Sequence, residues 1–249
     1  MARPKKLLTQ NSELRPHGIW NWTLPAFGVT LTDGSTMNVC PNAGACASFC
    51  YARNGTYLFP MVRARHIANL EYTLEEPELW QAQMEAEVAR VRYVRVHDSG
   101  DFYSRAYLDR WLYIAARTPE TTFYAYTKEV AMFKELAGAI PSNFRYLFSM
   151  GGKQDHMIDP DADRHADVFS DEAAVAEAGY TSQSGSDLLA ITLPTTRIGI
   201  PANNIRHFNK RMAGRTFSEL QVERDASRRP RRSDSSAAPP EPEPPRAAR

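Results

Sequence analysis

Between residues 93 and 193 the chain repeats one pattern: a short β-branched or aromatic run, a polar cluster, a helical stretch, then another such run. Residues 93–97 end in Asp98, Ser99, Gly100 and Asp101. Residues 121–126 end in Thr127 and Lys128, residues 144–148 in Ser149, Met150, Gly151 and Gly152, and residues 188–193 in Pro194. A strand that leads through a polar end into a helix and on to another strand is a βα unit, and βα units build parallel sheets. Ser104 stands where a helix N-cap belongs, ahead of Tyr107, Leu108, Trp111, Leu112, Ile114 and Ala115 at helical spacing.

Upstream, residues 27–32 read as a first strand, and residues 58–76 as a helix carrying Met61, Val62, Ile67, Leu70 and Leu74. Pro77 allows a second helix with Leu79, Met84, Val88 and Val91. The expected class is α/β with parallel strands. About 220 residues precede the tail, slightly fewer than the ~250 of an eight-unit barrel. A partial TIM-like βα barrel is therefore expected, with a doubly wound open sheet as the other choice. In both, ligands bind at the carboxyl ends of the strands.

Of the 249 residues, 43% are apolar and 24% charged, which is ordinary for a globular protein. A net charge of +1 provides no global basic field. No apolar run reaches the roughly 18–20 residues that span a bilayer, so no membrane partner is expected. The basic N-terminus lacks the apolar core and cleavage site of a secretory signal. The expected compartment is the cytoplasm. The first domain is read as residues 1–222. Residues 223–249, rich in Arg and Pro with almost nothing to bury, are read as a disordered tail. Its Arg228, Arg229, Arg231 and Arg232 could touch nucleic acid or an acidic partner, or simply keep the chain soluble.

All three cysteines, Cys40, Cys46 and Cys50, fall in one eleven-residue window. Three thiolates on one loop suit a soft metal centre. Zinc usually wants two close cysteine pairs well apart in sequence; no second pair exists, though His97 at a strand end could complete a Cys₃His site. A [4Fe–4S] cluster can be held by three thiolates with one iron left open, and Ala43, Gly44, Ala45, Ala47 and Ser48 are small enough to wrap it.

Three cysteines on a loop after a first strand, in a βα-repeat chain, resemble the radical S-adenosylmethionine superfamily. Its common spacing is Cys-x₃-Cys-x₂-Cys with an aromatic residue before the last cysteine. Here the spacing is Cys-x₅-Cys-x₃-Cys, and Phe49 precedes Cys50. The stretches 40–53, 94–102 and 123–128 more closely resemble a family of actinobacterial phage proteins named for gene product 88, itself radical-SAM-like. The family name carries no established reaction. The resemblance implies a [4Fe–4S] cluster on Cys40, Cys46 and Cys50, with S-adenosylmethionine at the open iron if the protein is an enzyme.

The strand ends supply the cofactor-binding candidates. Ser99, Gly100 and Asp101 stand where the superfamily binds an ammonium group, and Asp98 or Asp101 could equally cap the next helix. His97 could be a cluster ligand, a proton donor or a satisfied strand-end histidine. Lys128 could form a Schiff base, bind a phosphate or sit in water. Ser149, with Gly151 and Gly152, could approach a ribose or phosphate. Arg53 and Arg63 could pair with the charge of a cluster. Phe123, Tyr124 and Tyr126 read as sheet packing rather than a nucleobase platform. Three readings stand: a radical S-adenosylmethionine enzyme with an unidentified substrate; a non-enzymatic iron–sulfur protein that is structural, redox-sensing or binds a host partner; and a zinc-stabilised protein that binds nucleic acid through its tail.

Overall fold

The computed structural model describes residues 3–202 and 210–228. Its first sheet strand, β1 (Ile19–Trp22), lies upstream of the run expected to open the fold. That run instead forms β2 (Gly28–Thr30), paired antiparallel with β3 (Thr36–Asn38) in a separate two-stranded hairpin. The turn between them carries Asp33, whose carboxylate accepts the Ser35 amide at 2.8 Å. A tight turn after a β-branched run makes a hairpin as readily as it ends a parallel strand, and local pattern does not separate the two.

The main sheet continues with β4 (Tyr93–Val96), β5 (Thr122–Thr127), β6 (Phe144–Ser149), β7 (His165–Phe169), β8 (Thr181–Ser182) and β9 (Arg197–Pro201). Its seven strands run in the order β1-β4-β5-β6-β7-β9-β8, and every pairing is parallel. The α/β class holds. A closed barrel does not form among the described residues: the sheet is open, with β1 and β8 as its edges.

Five strands escaped the sequence reading: β1, β3, β7, β8 and β9. The run at 188–193, expected as a strand, contains a helical turn, Leu189–Thr192. A short apolar run is compatible with either state, and only its position over the sheet decides.

The helices are α1 (Cys46–Phe49), α2 (Pro60–Glu75), α3 (Pro77–Val88), α4 (Arg105–Arg117), α5 (Val130–Glu135), α6 (Glu172–Glu177), α7 (Leu189–Thr192) and α8 (Phe217–Arg228). Proline opens both α2 and α3, where its missing N–H costs nothing. Ser104 caps α4 as expected, its hydroxyl accepting the Tyr107 amide at 3.2 Å.

Strand alternation divides the core. Val94, Val96, Phe123, Ala125, Phe144 and Phe148 face the helix side, where they join Trp80, Met84, Leu108, Trp111 and Phe133 in the largest cluster. Trp111 meets Trp80 edge-on at 5.3 Å, and Trp80 meets Trp22 at 5.9 Å. Each such ring pair adds about 0.5–1.5 kcal/mol beyond its buried area. The other face carries Tyr124, Tyr126, Leu147, Ala166 and Ile198, covered by Leu188, Ala190 and Ile191 around α7.

The helix α8 runs past Val222 to Arg228, so residues 223–228 of the expected tail are helical. The rest of that tail, with Arg229, Arg231 and Arg232, lies outside the described residues. Among the described residues no helix is long and apolar enough to cross a membrane.

Candidate functional site at the strand ends

The cysteine loop is seated on the carboxyl end of β6. Gly44 and Cys46 both donate their amides to the Gly151 carbonyl, each at 3.1 Å, and Ala43 bridges to Gly152. Gly151 has φ +92, a left-handed conformation that favours glycine, and a Cβ there would lie 3.4 Å from the Cys46 Cβ. From the other side the loop is buttressed by α8. Gln221 accepts the Ala45 amide at 2.6 Å, and the Arg224 guanidinium donates to the Gly44 carbonyl. Asp167, in the middle of β7, fixes α8 in turn by accepting the Phe217 amide at 3.0 Å and the Ser218 hydroxyl at 2.5 Å. A carboxylate at a helix N-terminus is favoured by capping and by the dipole.

Beneath the loop, the predicted strand-end residues form one connected frame. Asp101 is buried and accepts the Thr127 hydroxyl at 2.7 Å, the Lys128 amide at 2.9 Å and the Phe102 amide at 2.8 Å. Lys128 donates its ammonium to the Ser149 hydroxyl at 2.7 Å and to the Ser149 and Met150 carbonyls at 3.0 Å. Three acceptors use all three ammonium donors, so Lys128 ties β5 to β6. Gly100, with φ +86, lets the end of β4 approach Leu24, while the Ser99 hydroxyl donates to the Leu24 carbonyl.

Three carboxylates complete the surroundings. Asp155 accepts the Gly151 and Gly152 amides at 2.7 and 2.8 Å, and burial raises it to about 6 against the pull of Lys128. Glu129 accepts from the Asn42 amide at 3.2 Å and its side chain at 2.6 Å; burial and then Asp101 push it up to about 7. Burial likewise raises Asp101. Sequence reasoning missed Asp155, Glu129 and Asp167, although the Gly-Gly pair followed closely by an aspartate was a visible turn signal.

The three thiols are free and half-buried. Burial raises all three, with Asp101 adding to it at Cys40, while Lys128 counteracts it at Cys46 and the Ala52 amide and Arg53 at Cys50. In the metal-free chain, burial therefore favours the neutral thiols. Among the described residues no group of three or more His, Cys, Asp and Glu side chains is placed to hold a metal ion. The expectation that Cys40, Cys46 and Cys50 bind a [4Fe–4S] cluster, in its enzymatic and non-enzymatic forms, is corrected on this point: it has no support among the described residues, and neither has the zinc alternative. The loop also follows a hairpin strand, not the first strand of the parallel sheet.

The family model of Gene product 88 matches residues 2–232. The chain belongs to the gene product 88 family. No curated protein and no solved structure matches it. Membership bears out the resemblance to that phage family; the iron–sulfur chemistry attached to the resemblance finds no support.

A second polar cluster, on the sheet face opposite the long helices, was not foreseen. Arg95 pairs with Asp187 at 3.3 Å and Asp98 at 3.6 Å, and lies 5.1 Å from the centre of the Tyr126 ring. Burial opposes its charge, but Asp187, Tyr51 and Asp98 together hold it well above the usual arginine value. Asp187 accepts the Tyr124 hydroxyl at 2.5 Å, and Tyr126 donates to Gln183 at 2.7 Å. Of the aromatic stripe, only Phe123 faces the main apolar core. Tyr57 donates to Asp98 at 2.7 Å, and Tyr51, immediately after Cys50, to the Asp98 carbonyl. That link joins this cluster to the thiol loop. Arg53 donates to the Ala47 carbonyl at 3.2 Å, within the loop itself.

His97 belongs to neither group. Its Nε2 lies 3.0 Å from the Tyr107 hydroxyl and its ring 4.6 Å from Phe102, so its contacts are with the helix-side core. Its φ of +69 is unusual for a residue with a side chain. Burial lowers its pKa to about 3, which keeps it neutral.

Glu129 gives a pH prediction. A carboxyl raised in the folded state, from 4.5 to about 7, binds its proton more tightly there than in the unfolded chain. That contribution is fully present below about 4.5 and is lost as pH rises through about 7. Glu129→Gln removes the titration. The stability of the variant relative to wild type should rise by about 1 kcal/mol per pH unit between roughly pH 5 and 7. Chemical unfolding across that range measures it; parallel curves for the two proteins would refute the assignment.

Proposed function

We propose that the protein binds a small polar molecule at the carboxyl edge of its parallel sheet, between the thiol loop and the strand ends. The observation that carries this reading is the convergence there of groups that are costly to bury. Lys128, Asp101, Asp155 and Glu129 sit with three free thiols in one region, each charged group held by backbone or side-chain hydrogen bonds. Stability alone does not require such a collection, because apolar side chains of similar volume fill a core at lower cost. In α/β proteins this edge is where ligands bind.

In this reading the open sheet is a partial barrel whose inner face carries Arg95, Tyr124, Tyr126 and Asp187. These aromatic and hydrogen-bonding groups suit a ligand with a planar, polar portion. The expected compartment remains the cytoplasm, that of the host for a phage product, where thiols stay reduced.

The test is a panel of nucleosides, amino acids, sugar phosphates and S-adenosylmethionine. A true ligand at about 100 times its Kd should stabilise the fold by about 2.7 kcal/mol, read as a rise in thermal midpoint. It should also slow alkylation of the three thiols by N-ethylmaleimide. If every probe leaves both readouts unchanged, or stabilises the fold without protecting the thiols, the site is misplaced.

A further inference from the structure

We propose that Cys46 and Cys50 are a redox pair that closes into a reversible intramolecular disulfide. Cys46 is the first residue of α1 and Cys50 is its C-cap. Helical geometry places Cα atoms four residues apart at about 6 Å, inside the roughly 4.4–6.8 Å that disulfides span. Their Cβ atoms stand about 5–6 Å apart on one helix face, against the ~3.5–4.5 Å of a closed bond. Closure therefore draws the end of the turn inward by about 1–2 Å. The fold permits this, because α1 is a single turn and Cys50 has already left helical geometry, with φ −60 and ψ 117.

Cys40 is the bystander. It packs against the main apolar cluster, and its sulfur accepts the Phe27 amide at 3.4 Å. Cys50 is the attacking thiol, since it caps the turn where the backbone has already left helical geometry.

With glutathione disulfide as oxidant the step balances. The Cys50 thiolate attacks one sulfur of glutathione disulfide, forming a mixed disulfide and releasing one glutathione thiol. The Cys46 thiolate then attacks the Cys50 sulfur, forming the internal bond and releasing the second glutathione thiol. The two protein thiol protons end on the two glutathione molecules, and the protein loses two electrons. The structural consequence falls on Tyr51. It follows Cys50 directly, and its hydroxyl holds the Asp98 carbonyl, so closing the disulfide pulls on the link between the thiol loop and the Arg95 cluster.

The experiment uses the full-length chain, reduced, desalted and incubated with glutathione disulfide. Thiols are then counted by N-ethylmaleimide labelling and intact mass. The count should fall from three per chain to one, and dithiothreitol should restore it. Chymotryptic cleavage after Phe49 separates Cys50 from the peptide that carries both Cys40 and Cys46, so the two peptides should stay joined until reduction, with the N-ethylmaleimide label placed on Cys40 by fragmentation. Cys40→Ser should oxidise like wild type, while Cys46→Ser and Cys50→Ser should keep both remaining thiols. Three persistent thiols, a stable glutathione adduct, or a bond to Cys40 in the wild-type map would each overturn the proposal. The wild-type map decides even where a variant fails to fold.

Discussion

Gly44→Ala should unseat the cysteine loop. A Cβ at this position would lie 1.9 Å from the Gln221 side-chain Oε1 and 2.8 Å from the Gly151 backbone carbonyl oxygen. Gln221 can swing away, but only by giving up its bond to the Ala45 amide. The Gly151 carbonyl is backbone, and it also receives the Gly44 and Cys46 amides, so it cannot retreat without loosening the loop. Inserting a single methyl into such a contact costs about 1–3 kcal/mol, and more where backbone must move. We expect a loss of about 3 kcal/mol in urea unfolding, with N-ethylmaleimide reacting at least ~10-fold faster at the thiols, since local opening exposes them. A variant with wild-type stability and wild-type labelling would show that the loop does not rest on β6 and α8.

Asp101→Ala should be at least as damaging, for the opposite reason. Here nothing clashes; three donors lose their acceptor at once. The Thr127 hydroxyl and the Lys128 and Phe102 amides all point to this carboxylate. Each buried donor left unpaired costs about 1–3 kcal/mol, and removing one partner of a buried charged network typically costs about 3–5 kcal/mol. The expected loss is therefore about 4 kcal/mol, measured by chemical unfolding. Asp101→Asn keeps one acceptor oxygen and removes the buried charge, so it should cost clearly less than the alanine variant. Equal losses for Asn and Ala would mean that the hydrogen bonds to Thr127 and Lys128 are not what holds the strand ends. A change below about 1 kcal/mol in Asp101→Ala would remove the frame from the account altogether.

Both substitutions act where strand-end loops meet, and the sequence revealed that region unevenly. The strands at Tyr93, Thr122 and Phe144, the Ser104 cap and the proline-opened helices follow from near-neighbour physics: alternation, capping geometry and the fixed φ of proline. The parallel α/β class follows from their order. So does the grouping of Asp101, Lys128 and Ser149, because strand-end residues of adjacent parallel strands must share one edge.

What the sequence could not determine depends on partners distant along the chain. The run at residues 27–32 pairs with β3 in a hairpin rather than joining the sheet, a choice made by which strand is available to it. The run at 188–193 turns helical because it covers the tyrosine face instead of extending the sheet. Arg95 meets Asp187 across ninety-two positions (187 − 95 = 92), and no local pattern encodes that pair. The three cysteines were legible as a group, but their chemistry was not. A one-dimensional spacing records only that thiols are near one another in sequence. Whether they become thiolate ligands or neutral thiols depends on burial and on the charges around them, and here burial raises all three. Local patterns set the elements and their direction; the tertiary structure set the electrostatic environment, because that environment is built from residues that only folding brings together.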